Sequence, residues 1–245
     1  MKILLAPSER KTDRGSDKFD ISTLLFPALA PVRETILEKY AKLIQKSDMA
    51  SLSKLFGLKK KDDIERYQHN IIDQPATKAI KRYMGVAFDH LDYKSLNNKA
   101  QDYINKNLII FSNLFGVLNA NDMIPDYRLQ QGKQIGDIRP DLYYKPYLQQ
   151  YLDEYLKGED ILDIRASYYN KYYKPSLPYT TLKFLKDGKV VSHWAKAYRG
   201  IVLREIAIAG ISTLGDFIAL PIEGLEIQEI QTKKNRTEII YNITQ

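Results

Sequence analysis

"KILLAPSERKTD", residues 2–13, is the stretch on which the reading of the fold turns. Its first half is a short apolar run closed by Pro7, the form of a strand buried inside a sheet. Its second half is polar, and α/β proteins place ligand-binding loops directly behind such a strand. The apolar part is too short for a secretory leader, so the segment is read as structure rather than as an address.

Outward from this strand, helical and extended patterns alternate without a strict βαβ rhythm. Residues 31–46 put Ile36, Leu37, Tyr40, Leu43 and Ile44 on one helical face behind Pro31. A second helix over "SDMASLSKLF" should stop at Gly57, and "GLKKKDDIERYQHNI" should resume it. Another helix is expected from about Pro75, interrupted near Gly85. "NLIIFSNLFGVL" (107–118) reads as an interior strand followed by a turn or short helix, and "DILDIR" as a further strand. Asp187-Gly188 predicts a hairpin with arms Thr180–Leu185 and Lys189–Trp194. A helix at 192–207 and a strand pair around "KKNR" close the chain. The expectation is one α/β domain of mixed α+β character spanning residues 1–245, a central mixed sheet wrapped by helices.

At 245 residues with 44% hydrophobic and 27% charged side chains, the chain can bury a core of ordinary size. No run approaches the roughly 20 apolar residues of a membrane span, so no membrane partner is expected. With no cysteine there is no disulfide framework or thiolate site, and the cytoplasm is the simplest compartment. His69, His90 and His193 stand far apart without ligand spacing, so neither a metal nor a cofactor is expected. The net charge of +7 favours polyanionic partners. Eighteen tyrosines, many within 143–179, are compatible with base stacking or with packing at the core boundary.

Four constellations could carry chemistry. In "SHWAKAYRGIVLREIA" (192–207), His193, Lys196, Arg199 and Arg204 fall within an arc of roughly 140° on an otherwise apolar helix. Buried unpaired cations are expensive, so that arc must meet water, carboxylates or a bound anion. In "APSERKTD", Ser8 and Thr12 offer hydroxyls, Lys11 a point charge and Glu9 a base or acceptor; the glycines of a P-loop are missing, and plain turn chemistry explains the stretch equally well. "SNLFGVLNANDMIPDYRLQQG" (112–132) could hold Asp122 and Arg128 towards a cleft, or pair them within an ordinary loop. Finally, Phe56-Gly57-Leu58 between two helical stretches resembles the turn of a helix-hairpin-helix over about 47–70. Such turns hold DNA backbone through main-chain N–H groups, and Lys59, Lys60 and Lys61 follow at once. A plain helical hairpin with a solvated charge run fits as well.

Taken together and in order, these segments resemble the bacterial YaaA family of peroxide stress proteins. The resemblance is carried by "ILLAPSERKT", "RYMGVAFDHL", "FSNLFGVLNANDMIPDYRLQQG", "DLYYKPY", "DIRASYY" and "WAKAYRGIVLREI". Asn113 stands where the family usually has glycine, and Asn119-Ala120-Asn121 replaces its common Arg-Pro-(Leu/Asp). The resemblance implies a helix-hairpin-helix element, a positively charged cleft, non-specific DNA binding and a limit on iron-dependent damage. It assigns the cleft to Ser8, Glu9, Lys11, Thr12, Tyr83, Arg128, Lys196, Arg199 and Arg204, and the DNA-contacting hairpin to Gly57, Lys59, Lys60 and Lys61. A monomer is the expected state.

A second reading makes the protein an enzyme on a nucleotide or nucleobase, with Glu9 as acid or base among the same anion-binding residues. A third, a scaffold with no ligand, requires the cationic arc to be spent on internal carboxylates.

Overall fold

The computed structural model of the chain describes residues 1–244, apart from the side chains of Ser192 and His193. His193, a member of the cationic arc, therefore lies outside the described residues in this respect. In order the elements are β1 (Lys2–Leu5), α1 (Ala30–Lys46), α2 (Met49–Phe56), α3 (Lys61–Glu65), β2 (Ala76–Lys78), α4 (Ala79–Arg82), α5 (Val86–Leu91), α6 (Asn98–Asn107), β3 (Leu108–Ser112) and β4 (Gly116–Asn119). The second half holds β5 (Met123–Pro125), α7 (Pro140–Tyr155), β6 (Ile161–Asp163), β7 (Tyr179–Lys186), β8 (Lys189–Val190), α8 (Ser192–Ala209), α9 (Leu214–Ala219), β9 (Leu225–Lys233) and β10 (Arg236–Ile243).

The main sheet runs β4-β3-β1-β6-β7-β10-β9, with β8 paired to β7. Its centre is parallel, from β3 through β1, β6 and β7 to β10. The edges β4, β8 and β9 are antiparallel. As expected, it is a mixed α/β architecture with helices against a mixed sheet. The strand "KILL" is buried at every position, in register with Leu108–Ile110 on one side and Ile161–Asp163 on the other. From β1 the chain leaves towards β3 and later returns to β6 on the opposite flank. The strand order thus reverses beside β1, and in open α/β sheets ligands collect at the carboxyl ends of strands at such a reversal.

Local chemistry fixes the helices. Asp48 caps α2 by accepting from Ser51 N at 2.7 Å, and Asn97 caps α6 by accepting from Ala100 N at 3.0 Å. Gly57 ends α2 with φ +65°, the left-handed geometry that only glycine adopts without strain. Gly200 lets α8 press against α5: a Cβ there would lie 2.1 Å from the Ala87 carbonyl oxygen.

Two fully buried arginines act as internal joints. Arg33 donates to the carbonyls of Leu25, Phe26, Phe115 and Val117, and Arg82 to those of Thr12, Pro75 and Ile124. Neither forms an ion pair among the described residues. Carbonyl oxygens instead take the place of water around each cation, which satisfies its donors while crossing distant parts of the chain.

Several boundaries differ from the sequence reading. The helical stretch expected over 57–71 is confined to Lys61–Glu65, because Arg66 and Tyr67 turn inward to pack on Asp126 and Phe56. The helix expected from Pro75 splits into β2, α4 and α5, because Tyr83 leaves helical geometry to form a bridge with Lys11. The second hairpin arm ends at Val190 rather than Trp194. From Ser192 the apolar period of Ala195, Tyr198, Val202 and Ile206 is helical and buried, and it claims the segment for α8. The tyrosine-rich stretch at 140–155 is a helix, α7, with Tyr144, Leu148 and Leu152 buried. Most of the tyrosines from 168 to 173 likewise pack into the core, Tyr169 stacked on Tyr172 and Phe111 on Tyr173.

Candidate functional site

Three loops meet at the carboxyl edge of the sheet: residues 6–13 after β1, 113–115 after β3, and 164–166 after β6. A fourth segment, 126–131, lies across them. Glu9 fastens that segment to the first loop. Its two carboxylate oxygens accept from Arg128 Nη2 at 3.0 Å and from Gln131 N at 3.1 Å. Arg128 also donates to the carbonyls of Glu9 and Phe56, at 2.8 Å each. Arg128 therefore joins the loop after β1 to the end of α2.

Lys11 sits at the heart of this arrangement, 5% exposed. Its Nζ lies 4.0 Å from the Tyr127 ring centre and 5.1 Å from that of Tyr83, and donates to the Ser8 and Glu9 carbonyls at 3.1 and 3.4 Å. Among the described residues it forms no ion pair: Glu9 is held by Arg128 and Asp126 by Arg66. Burial pushes the Lys11 ammonium down to about 7. The Asp126 and Glu9 charges oppose this, and Arg128 and Arg82 reinforce it. Both forms of the amine are thus accessible at neutral pH.

The rings beside Lys11 are linked by their hydroxyls. Tyr83 Oη lies 2.8 Å from Tyr127 Oη, which lies 2.9 Å from Ser112 Oγ. Ser112 Oγ in turn accepts from the amides of Leu114 and Phe115, which fixes the turn after β3. Burial raises the Tyr83 phenol to about 12, and Tyr127 lies well above its ordinary value for the same reason. Both phenols are neutral donors. Asn113 accepts from the Tyr169 hydroxyl at 3.0 Å and donates to Leu129 O at 3.4 Å.

On the solvent side of Lys11 a cavity of about 1020 Å³ opens to the surface. Lys11, Thr12, Arg14, Arg66, Lys81, Tyr83 and Lys94 line it together with Asp13, Asp89 and Asp92, and Ile80, Met84, Phe88 and Tyr93 supply apolar surface. Arg66 bridges two features. It ends the α2–α3 segment, and it pairs with Asp126 beside Lys11. Asp126 Oδ1 is buried without a hydrogen-bond partner.

Of the residues singled out in sequence, Lys11, Thr12 and Tyr83 line this cavity, whereas Ser8, Glu9 and Arg128 stand directly behind Lys11 without lining it. Ser8 packs closely on Gly85 at the head of α5, its Oγ 2.8 Å from where a glycine side chain would begin. The cationic arc of α8 is divided. Lys196 is exposed, and Arg204 donates to the Leu91 and Asp92 carbonyls at the end of α5. Arg199 is largely buried near the Asp163 carboxylate, its Nε without a partner. None of the three lines the cavity. Gly57, Lys59 and Lys60 lie in the turn between α2 and α3 and Lys61 opens α3, with Lys59, Lys60 and Lys61 exposed. Asp122 turns away from the site and accepts from Leu25 N and Asn119 N.

Sequence reasoning missed Asp126, Arg66 and the buried pair Asp163–Arg165. In that pair Arg165 holds both carboxylate oxygens at 2.8 and 2.6 Å and lies over the Phe111 ring. The signal for the pair was present in "DIR": an acid and a base two residues apart at the carboxyl end of a strand share one side of the sheet.

A family model described as peroxide stress protein YaaA matches residues 1–231. The chain is 39% identical over 244 residues to an uncharacterised protein of Campylobacter jejuni, covering 99% of each. It is 34% identical over 218 residues to a UPF0246 protein of Corynebacterium glutamicum, covering 85% of this chain and 86% of that one. Identity to a UPF0246 protein of Streptomyces coelicolor is 27% over 225 residues, with 88% and 86% covered.

Proposed function

The chain belongs to the peroxide stress protein YaaA family, and on that premise we propose that it protects DNA during peroxide stress by gripping the phosphate backbone without reading sequence. The observation that carries this reading is the position of Arg66. It ends the short segment that carries Lys59, Lys60 and Lys61 and itself lines the cavity, which supports reading the exposed lysines and the cavity as parts of one binding surface. A duplex lying over the turn would meet Lys59–Lys61 at its backbone, and an unpaired or damaged nucleotide would reach Arg14, Lys81 and Lys94 within the cavity. Covering the backbone in this way would limit iron-dependent damage at the strand itself.

Phosphate contacts of this kind release counterions, so affinity must fall steeply with salt, by a slope of about 0.9 per contacted phosphate on a double logarithmic plot. Mobility shifts of a duplex across a salt series test the reading. Changing Lys59, Lys60 and Lys61 together to Ala should flatten the slope by up to about 2.7 if each meets one phosphate. A slope that does not change in the triple variant, or absence of binding by the unaltered protein, refutes it.

A catalytic reading has one observation in its favour: Lys11, buried and without a carboxylate partner among the described residues, at the wall of an open cavity. In this reading Glu9 remains the candidate acid or base, each of its oxygens accepting one hydrogen bond.

A further inference from the structure

We propose that two copies of this chain join through the free edge of the main sheet, β9 against β9 in antiparallel order, about a two-fold axis at Ile230. The sequence alone suggests a monomer, and the character of this edge points the other way. The inference is independent of the DNA reading above.

β9 pairs with β10 alone and ends the sheet. It is nine residues long, and every residue from Glu226 to Lys233 is exposed. An edge of that length offers a row of unpaired N–H and C=O groups on which another strand can pair. The apolar face of the sheet continues onto it. Thr232 and Thr237 share that face, their hydroxyls 3.0 Å apart, and on it Ile230 stands opposite Ile239 and Ile227 opposite Tyr241. Ile239 and Tyr241 are buried, Tyr241 stacked on Phe184, which stacks in turn on Tyr198 of α8. Ile227 and Ile230, by contrast, are 37% and 44% exposed. The covered layer stops one strand short, and two isoleucines are left for a neighbouring edge to bury.

The charges single out a second copy as that neighbour. The strand is acidic in its first part, at Glu226 and Glu229, and basic at its end, at Lys233. None of these three enters an ion pair among the described residues; nearby, Arg236 pairs with Glu238 along β10. An edge guarded against its own copy carries one sign of charge, because like charges directly opposite repel. On β9, antiparallel self-pairing brings each acidic end to a basic end.

Symmetry then narrows the register. The axis of such a pair is normal to the sheet and keeps like faces together, so residues of one face must stand opposite each other. Gln228 is the extra residue of a bulge, passed over between Glu229 opposite Ile240 and Ile227 opposite Tyr241. Passed over again on the outer side, it leaves a register centred on Ile230. Ile230 then meets its own copy, Glu229 meets Gln231, Ile227 meets Thr232, and Glu226 meets Lys233. The two-fold axis makes that last ion pair twice. Centring on Glu229 instead sets a carboxylate against itself. Centring on Gln231 leaves Glu226 and Ile227 opposite the turn at Lys234, beyond the end of the strand.

Sedimentation of the full chain over a concentration series tests the proposal. The expected result is a mass that rises from one chain towards two. Glu226→Lys and Lys233→Glu should each lower the association constant by about tenfold, since two opposite-charge pairs become like-charge pairs. The double variant Glu226→Lys/Lys233→Glu should restore it. Both side chains are exposed, so folding is not at stake. The chain has no cysteine, so a single introduced one reports only on contact with its own copy. Ile230→Cys should form a disulfide-linked dimer under mild oxidation, because directly opposite residues hold their Cβ atoms about 4.5–5.5 Å apart. Glu229→Cys and Gln231→Cys should not. A mass of one chain at every concentration overturns the proposal. So does an association that neither single charge reversal weakens, which would place the contact away from β9. Cross-linking at 229 or 231 in place of 230, or no recovery in the double variant, overturns the axis at Ile230.

Discussion

Replacing Lys11 by Met is the most direct measurement of the burial that defines the site. Burial lowers the Lys11 ammonium from 10.5 to about 7. The unfolded chain therefore binds a proton more readily than the folded one between these values, and wild-type stability rises with pH across that window. The penalty is present in full below about pH 7 and falls by about 1.4 kcal/mol for each unit above it. Methionine fills nearly the same volume without the charge, and leaves the Ser8 and Glu9 carbonyls without their donor at every pH. That loss is a constant offset; the charge effect is not. Between pH 6 and pH 9 the stability advantage of Lys11→Met over wild type should shrink by about 2.5 kcal/mol. For a chain of this length that is a differential of roughly 5–10 °C in melting temperature. Thermal melts of both proteins at four pH values measure it. A gap that stays constant over the range would mean that the amine is not buried as a charge, and the reasoning would fail.

Asp122→Asn should stabilise the protein at pH 7.5. Burial raises this carboxyl to about 6, so its ionisation penalty is absent below about pH 4 and complete above pH 6. Leu25 N and Asn119 N donate to the same oxygen, Oδ2, so an amide oxygen placed there keeps both bonds. The gain reaches up to about 3 kcal/mol in urea unfolding at pH 7.5 and vanishes near pH 4; a loss at pH 7.5 contradicts it. Gly200→Ala places a methyl 2.1 Å from the Ala87 carbonyl oxygen and must push α5 from α8. A cost of about 2 kcal/mol is expected, seen as a melting temperature lower by roughly 4–8 °C, despite alanine's better helix propensity. An unchanged or higher value would show that the helices do not touch there.

The frame of the molecule was written locally, and the site was not. β1 announces itself because the apolar residues Ile3, Leu4 and Leu5 in succession suit a strand covered on both faces, and the turn at Asp187-Gly188 is set by its own two residues. α7 was hidden because tyrosines form much of its apolar side and Pro146 interrupts its pattern. The cationic arc of α8 is an arc on a helical wheel. Its residues nonetheless meet different surroundings, because one helix passes solvent, the sheet edge and the end of α5 along its length. Lys11 is the clearest case of what sequence withholds. Nothing near it in the chain is apolar enough to bury it; Tyr83 and Tyr127, 72 and 116 residues further on, do so. Its family resemblance marked the residue, but only the tertiary structure shows that it is buried.

Arg82 has a consequence for anyone who would redesign this protein. One flat cation ties the backbone at residues 12, 75 and 124 through bonds whose directions are set by the shape of the guanidinium. Movement of any one strap is therefore felt by the other two, and a lysine, with a single tetrahedral head, could not reproduce the joint. Changes meant to reshape the cavity belong on its outer wall, at Lys81, Met84 or Lys94, where side chains can be exchanged without loosening this hub.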